Sequence, residues 1–165
     1  MSDLFFRLIG VLLLRRGPQD LPAGAPALIV TVLAYLAVTA FNLTRGEGHP
    51  TPAPVLLLAV GVPLILTWIV LKIRNLTARW TQTLTALFGS NALLSVVTLP
   101  FSLAAGSEPN AGLALVLLAS FFWSFAVDAH IWRQALEISF ALALVVTTLL
   151  FLTSLFIITS LTGPL

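Results

Sequence analysis

Cysteine is missing from this chain and charge is scarce: only 8% of the residues are Asp, Glu, Lys or Arg, against roughly 25% in a soluble domain. Without cysteine there is no disulfide framework, thiol nucleophile or thiolate metal site, and the redox character of the compartment goes unread. The shortage of charge excludes an ordinary soluble domain, as do 59% hydrophobic residues and a mean hydropathy of +1.07. Other chemistry is missing too. There is no Gly-rich phosphate loop, no His-Glu-x-x-His pair and no Gly-x-Ser-x-Gly turn. The two histidines, His49 and His130, are assigned to opposite sides of a membrane, so they cannot share a metal. The pI of 9.9 invites a nucleic-acid reading, but the net charge is only +2. The basic residues lie beside apolar segments, where orientation signals belong, and no nucleic-acid partner is expected.

What the chain does have is long apolar runs. A bilayer core of roughly 30 Å needs about 20 apolar residues to cross. Such segments start near Pro26, Pro54, Thr81 and Ala111, and the last extends to Leu161, long enough for two crossings. The expected fold class is therefore all-α: a polytopic membrane helical bundle of five transmembrane helices plus an N-terminal interfacial helix. The expected spans cover about 27–43, 54–71, 81–105, 112–129 and 138–161, within a membrane domain of 26–162. Five spans leave no stretch for a separate soluble domain.

Residues 1–25 form the interfacial segment. Leu4 to Leu14 is too short to cross and carries Arg7, so it reads as a helix in the interface with Arg7, Arg15 and Arg16 toward headgroups. The acidic start at Asp3 and the Arg15-Arg16 stop argue against a cleaved signal peptide. Pro63 within the second span is expected to kink it near its middle. From Leu113 to Thr162 there is neither Gly nor Pro, yet one helix of that length would extend about 75 Å. The polar cluster Asp128, His130, Arg133, Gln134 and Glu137 is the place for it to turn back.

Orientation follows from the cations. With the N-terminus inside, Arg7, Arg15, Arg16, Lys72, Arg74, Arg79 and Arg133 all fall inside and Arg45 alone outside, a strong positive-inside bias. Trp68, Trp80, Trp123 and Trp132 fall toward the same side, where anchoring at headgroup depth is their plainest role. The expected topology is multi-pass, with the N-terminus on the cytoplasmic side and the C-terminus on the far side.

The candidate polar residues each have a structural reading beside a functional one. The third span is the most polar, with Gln82, Thr85, Gly89 and Asn91. Thr85 and Gly89, like Ala86 and Ser90, are four apart, a spacing that lets helices approach closely, and Asn91 suits an interhelical hydrogen bond. The alternative is a polar lining for a substrate or lipid cavity. Arg133 and Glu137 could pair along one helix or complement the ends of two. Asp128 lies one turn before Trp132 and calls for a partner, with Arg133, Arg74 and Arg79 as candidates. Asp128, His130 and Ser124 or Ser139 could be drawn as a hydrolase set, but nothing supplies an oxyanion donor. Ion-coupled transporters place an ionisable group within their spans, and four of the five spans here have none. The hydroxyls of the fifth span, including Thr147, can satisfy their own helix.

Two segments carry a resemblance. Arg79-Trp80-Thr81-Gln82-Thr83-Leu84-Thr85-Ala86-Leu87-Phe88-Gly89 and Trp123-Ser124-Phe125-Ala126-Val127 through His130-Ile131-Trp132-Arg133-Gln134-Ala135-Leu136-Glu137 resemble the opening of the third span and the end of the fourth in a group of small bacterial inner-membrane proteins. Leu14 to Pro22 resembles their N-terminal part. The group is similar in layout to the Yip family of five-span membrane proteins, with a cytoplasmic N-terminus and the C-terminus on the far side. Eukaryotic Yip proteins bind Rab GTPases, a partner that does not carry over to a bacterial chain lacking their long N-terminal region. The resemblance implies a bacterial inner membrane as the location, with the C-terminus periplasmic; it implies no chemistry, but it groups Gln82, Thr85, Gly89, Trp123, His130 and Arg133.

Together these features predict a nonenzymatic membrane scaffold, assembly or interaction factor without cofactor or metal. Its surroundings would be the lipid bilayer and a membrane-protein partner or a second copy of itself. The residues for such contacts would be Gln82, Thr85, Gly89, Asn91, Trp123, Asp128, His130, Arg133 and Glu137. The alternative is a small transporter or lipid-handling protein.

Overall fold

In lipid, backbone N–H and C=O groups find no water, so apolar segments this long satisfy themselves as helices. The computed structural model describes residues 2–44, 52–104 and 111–162, and these form helices joined by short turns. They are α1 (Ser2–Leu12), α2 (Ala25–Leu43), α3 (Pro52–Ile73), α4 (Trp80–Ala104), α5 (Ala111–Leu136) and α6 (Phe140–Thr162). Helices α2 to α6 are each long and apolar enough to cross a membrane, and the chain is a multi-pass helical membrane protein. The polar loop from Arg45 to Pro50, the turn at Ser107 to Asn110 and the tail from Gly163 lie outside the described residues.

The helix expected to stop at Ala129 runs on to Leu136, so Asp128, His130, Arg133 and Gln134 are helical residues and not the turn itself. The turn is Glu137-Ile138-Ser139. It forms without Gly or Pro because Glu137 takes a left-handed backbone, φ 56°. Ile138 N–H then donates to the Arg133 carbonyl at 3.2 Å, the wide closing bond of a Schellman cap. The same cap ends two other helices. Leu14 (φ 59°) is followed by Arg15 N–H on Gly10 O, and Asn75 (φ 56°) by Leu76 N–H on Leu71 O. All three turns use a side-chain-bearing residue where glycine is usual, so a search for glycine passes over them. Helix α3 continues through Pro63 without interruption.

α4 is the central element, packed against α1, α2, α3 and α5, while α6 packs on α5 and α3. Most of the buried side chains gather toward the end that carries the α3–α4 and α5–α6 turns. One cluster joins Leu8, Val11, Leu21, Ala86, Val127 and Ile131; the other joins Leu71, Ala129, Trp132, Ala135, Leu136 and Ala143. Large apolar residues such as Leu57, Leu115 and Phe156 are exposed on the outer faces, as lipid contact requires.

The N-terminal helix is short, and Arg15 and Arg16 beyond it are exposed. Its other face is docked: Leu8 and Val11 are buried against α4 and α5. Arg7 pairs with Asp3 one turn away at 2.9 Å and donates to the Asp20 carbonyl. The hydrogen bond from the guanidinium holds the Asp3 carboxyl below the usual carboxylate range, although a pair this exposed adds little stability.

Candidate functional site

The polar residues of α4 and α5 divide into two groups by what they touch. The first group holds the N-terminal segment. Gln82 Nε2 donates to the carbonyls of Leu21 at 2.7 Å and Gln19 at 3.4 Å. His130 Nε2 lies 3.0 Å from the Arg16 carbonyl, a contact in which the ring N–H donates. Trp123 Nε1 donates to the Leu12 carbonyl at 3.1 Å. Gly89 lies nine residues into α4, and a Cβ there would stand 2.6 Å from Leu8 Cδ2. Four residues grouped by the resemblance therefore meet one stretch of chain, Leu8 to Leu21. Each of the three side-chain donors takes up at least one backbone carbonyl of this segment.

Thr85 is fully buried and donates to its own helix at Thr81 O, 2.7 Å. Arg133 is exposed. Glu137 pairs with Arg79 and not with Arg133; Arg79 Nη1 also donates to the carbonyls of Ala135 (3.0 Å) and Gln134 (3.5 Å), closing the C-terminal end of α5. Two tryptophans are structural rather than free anchors. Trp132 is buried, and Trp80 Nε1 donates to the Leu64 carbonyl at 3.2 Å. Trp68 keeps an interfacial character, 43% exposed, with Lys72 Nζ 4.3 Å from its ring centroid.

The second group surrounds a cavity. Asn91 Nδ2 donates to Asp128 Oδ1 at 3.1 Å and to the Leu87 carbonyl at 2.9 Å, linking α4 to α5. Asp128 lies eight residues, about 12 Å, before the end of α5. The cations expected to pair with it are elsewhere: among the described residues the ion pairs are Arg7–Asp3 and Arg79–Glu137. Both Asn91 and Asp128 line a cavity of about 300 Å³ bounded by side chains from α2 to α6. The buried Thr67 and Thr147 and the half-buried Ser124 and Ser154 also line it.

Thr147 stands out. Its Oγ1 is buried and makes no hydrogen bond, whereas Thr148 and Thr159 on the same helix donate to the carbonyl four residues back. The hydroxyl series of α6 marked the residue type in the sequence, but only the packing picks out this member. Tyr35 and Thr67, from helices without a polar signal, were not legible as cavity residues. Thr147→Val, which keeps the shape and removes the unpaired hydroxyl, is expected to stabilise the empty protein by about 1 kcal/mol. Reversible unfolding in mixed micelles checks this, and a destabilised variant would mean that the hydroxyl has a partner.

The hydrolase set does not assemble. His130 faces Arg16, Ser124 Oγ donates to the Phe121 carbonyl at 2.7 Å, and Ser139 Oγ accepts from Leu142 N–H at the start of α6. Asp128 bonds Asn91 instead of histidine. What the geometry offers is an acid, an amide and several hydroxyls around a hollow inside a membrane bundle. No family model, curated protein or solved structure matches the chain.

Proposed function

We propose that this chain is a nonenzymatic multi-pass protein of a bacterial inner membrane that handles a small or lipidic ligand in the cavity beside Asn91 and Asp128. The observation that carries the reading is Asp128 itself: a carboxyl group well within a membrane-spanning helix, with no cation beside it among the described residues, on the wall of a cavity of about 300 Å³. Ionisable groups placed this way mark ligand or ion sites more often than packing. A cytoplasmic N-terminus and periplasmic C-terminus are supported by the seven cations on one side, and the five-span layout accords with the Yip-like resemblance.

A scaffold or assembly role is the second reading. Its support is the exposed basic end, where Arg15, Arg16, Lys72, Arg74 and Arg133 present charge toward headgroups or an acidic partner. The α4 residues first assigned to partner contact favour it less, because Gln82, Thr85 and Gly89 are occupied within the chain.

The test is extraction of tagged chain from native membranes, followed by mass spectrometry of bound small molecules, lipids and proteins. A stoichiometric ligand is expected with the wild type and is expected to be lost when Ser124→Leu and Ser154→Leu fill the cavity. A stoichiometric membrane-protein partner, with no ligand that depends on the cavity, would replace this reading with the scaffold.

A further inference from the structure

The polar groups around Asp128 lean toward acceptors, while Tyr35, Thr67, Ser154 and Trp132 on the same wall carry O–H or N–H groups able to donate. Asn91 spends both of its N–H groups, one on the Leu87 carbonyl and one on Asp128, and keeps only its carbonyl oxygen free to accept. Ser124 gives its proton to the Phe121 carbonyl, so its oxygen too faces the cavity as an acceptor. Asp128 adds acceptor oxygens and a potential negative charge, and Thr147 adds an unpartnered hydroxyl on a residue only 5% exposed. Among the described residues no Lys, Arg or His lines the cavity. An anionic ligand would therefore meet like charge with no cation among the described residues to offset it, and a neutral apolar ligand would leave Asp128 desolvated with only the Asn91 hydrogen bond to compensate. A donor-rich cation answers both needs.

The rest of the wall narrows the class. Tyr35, Phe88, Phe121, Phe125, Trp132 and Phe151 surround these polar groups. Phe125 lies 5.0 Å from Phe121 and 5.1 Å from Phe151, centroid to centroid, and Tyr35 lies 5.2 Å from Phe88. Aromatic rings around a carboxylate attract an organic ammonium through the ring quadrupole and hold the carbon chain by dispersion. A divalent metal is poorly served by one carboxylate and neutral oxygens, and among the described residues no group of three His, Cys, Asp or Glu exists to bind one. A volume of about 300 Å³ is at the small end of ligand cavities, enough for an amine with a short chain or ring, or for the aminoalkyl part of a headgroup.

We propose that the cavity selects a ligand bearing a primary ammonium group, the nitrogen donating to Asp128 and to the Thr147 hydroxyl once that side chain rotates toward the cavity, with the attached carbons packed among the aromatic rings. The inference rests on the cavity being a ligand site, the reading proposed above. The ammonium could be that of a free amine or of an ethanolamine headgroup, since both present the same donor.

The test uses the full-length chain in nanodiscs of phosphatidylcholine and phosphatidylglycerol, which carry no primary amine. The probe is 2-phenylethylamine, compared by calorimetry with its neutral analogue 2-phenylethanol and with sodium and potassium chloride. Amine binding is expected to exceed alcohol binding by about 30-fold, and Asp128→Asn, which can keep the Asn91 contact, is expected to weaken the amine by a similar factor. Thr147→Val is expected to weaken it about 5-fold and provides a second variant should Asp128→Asn fail to fold. Adding phosphatidylethanolamine separates the sources: competition with the probe identifies a headgroup site, and its absence a site for free amines.

Equal affinity for amine and alcohol would overturn the proposal, as would amine binding unaffected by either variant or a preference for the inorganic cations. If the amine fails while native extraction still yields a ligand that cavity filling removes, the ammonium class falls and the ligand site stands. If neither binds, both fall.

Discussion

Gly89→Leu is expected to release the N-terminal helix from the bundle. A Cβ on Gly89 would stand 2.6 and 2.8 Å from the two Cδ atoms of Leu8 and 3.0 Å from Thr31 Cγ2, so α4 is pressed between α1 and α2 at this point. Alanine needs only that the tip of Leu8 rotate, at a cost of about 1 kcal/mol. Leucine adds three more carbons where none fit, and overpacking of this kind costs about 3 kcal/mol. The easiest relief is for α1 to leave. α2 is a transmembrane helix, whereas α1 is short and held by the burial of Leu8 and Val11 and by one side-chain hydrogen bond, from Trp123 to the Leu12 carbonyl; Gln82 and His130 hold the segment that follows it. Hydrogen exchange at the amides of Ile9 to Leu12 should then speed up about 100-fold while α5 and α6 stay protected. Unchanged exchange would show that Gly89 does not set the approach of α1. Loss of a binding partner in this variant would indicate an interface only after release of α1 had been excluded.

Arg79→Ala is expected to cost about 2 to 3 kcal/mol, and Glu137→Ala no more than about 1 kcal/mol, although the two residues form one ion pair. The difference lies in what else Arg79 does. Glu137 is 69% exposed, and a pair in such surroundings contributes little. Arg79 also reaches the carbonyls of Ala135 and Gln134, which lack helical partners at the end of α5, and its charge opposes the negative end of the helix dipole. Arg79→Lys should recover only part of the loss, because a single ammonium cannot reproduce the planar fork. Glu137→Gly should be close to neutral: it loses the pair but relieves a left-handed backbone that costs a non-glycine residue about 1 kcal/mol. Reversible unfolding in mixed micelles measures all four variants. Equal losses for Arg79→Ala and Glu137→Ala would mean that the ion pair, and not the carbonyl contacts, holds this corner.

Both predictions concern residues whose type was conspicuous in the sequence and whose partners were not. The spacing of Thr85 and Gly89 announced a close helix approach, and at Gly89 two elements approach: α2 through Thr31 and, more tightly, the short N-terminal helix through Leu8. Arg133 and Glu137 were four apart and of opposite charge, yet Glu137 meets Arg79, which is 58 positions away along the chain. His130 and Gln82 looked like surface or cavity groups and instead bond carbonyls of the N-terminal segment. Spacing along one helix identifies shared faces; it does not say which other helix will face them.

The five membrane-spanning helices, the short N-terminal helix and the concentration of cations toward one end were all readable from the sequence. Hydropathy over about 20 residues is a local property, and in a bilayer it nearly dictates a helix because the backbone has no other way to pair its polar groups. Tertiary structure alone decided the end of α5, the docking of the N-terminal segment and the cavity. Glu137 makes its turn in a left-handed conformation that no glycine announces, and Arg79 braces the corner from another helix. Asp128 faces Asn91 and a ring-lined hollow because five helices bring their side chains together there. Lipid is as apolar as the side chains it surrounds, so hydrophobicity drives these segments into the membrane without choosing their neighbours. That choice falls to shape and to a few hydrogen bonds between residues far apart in the chain.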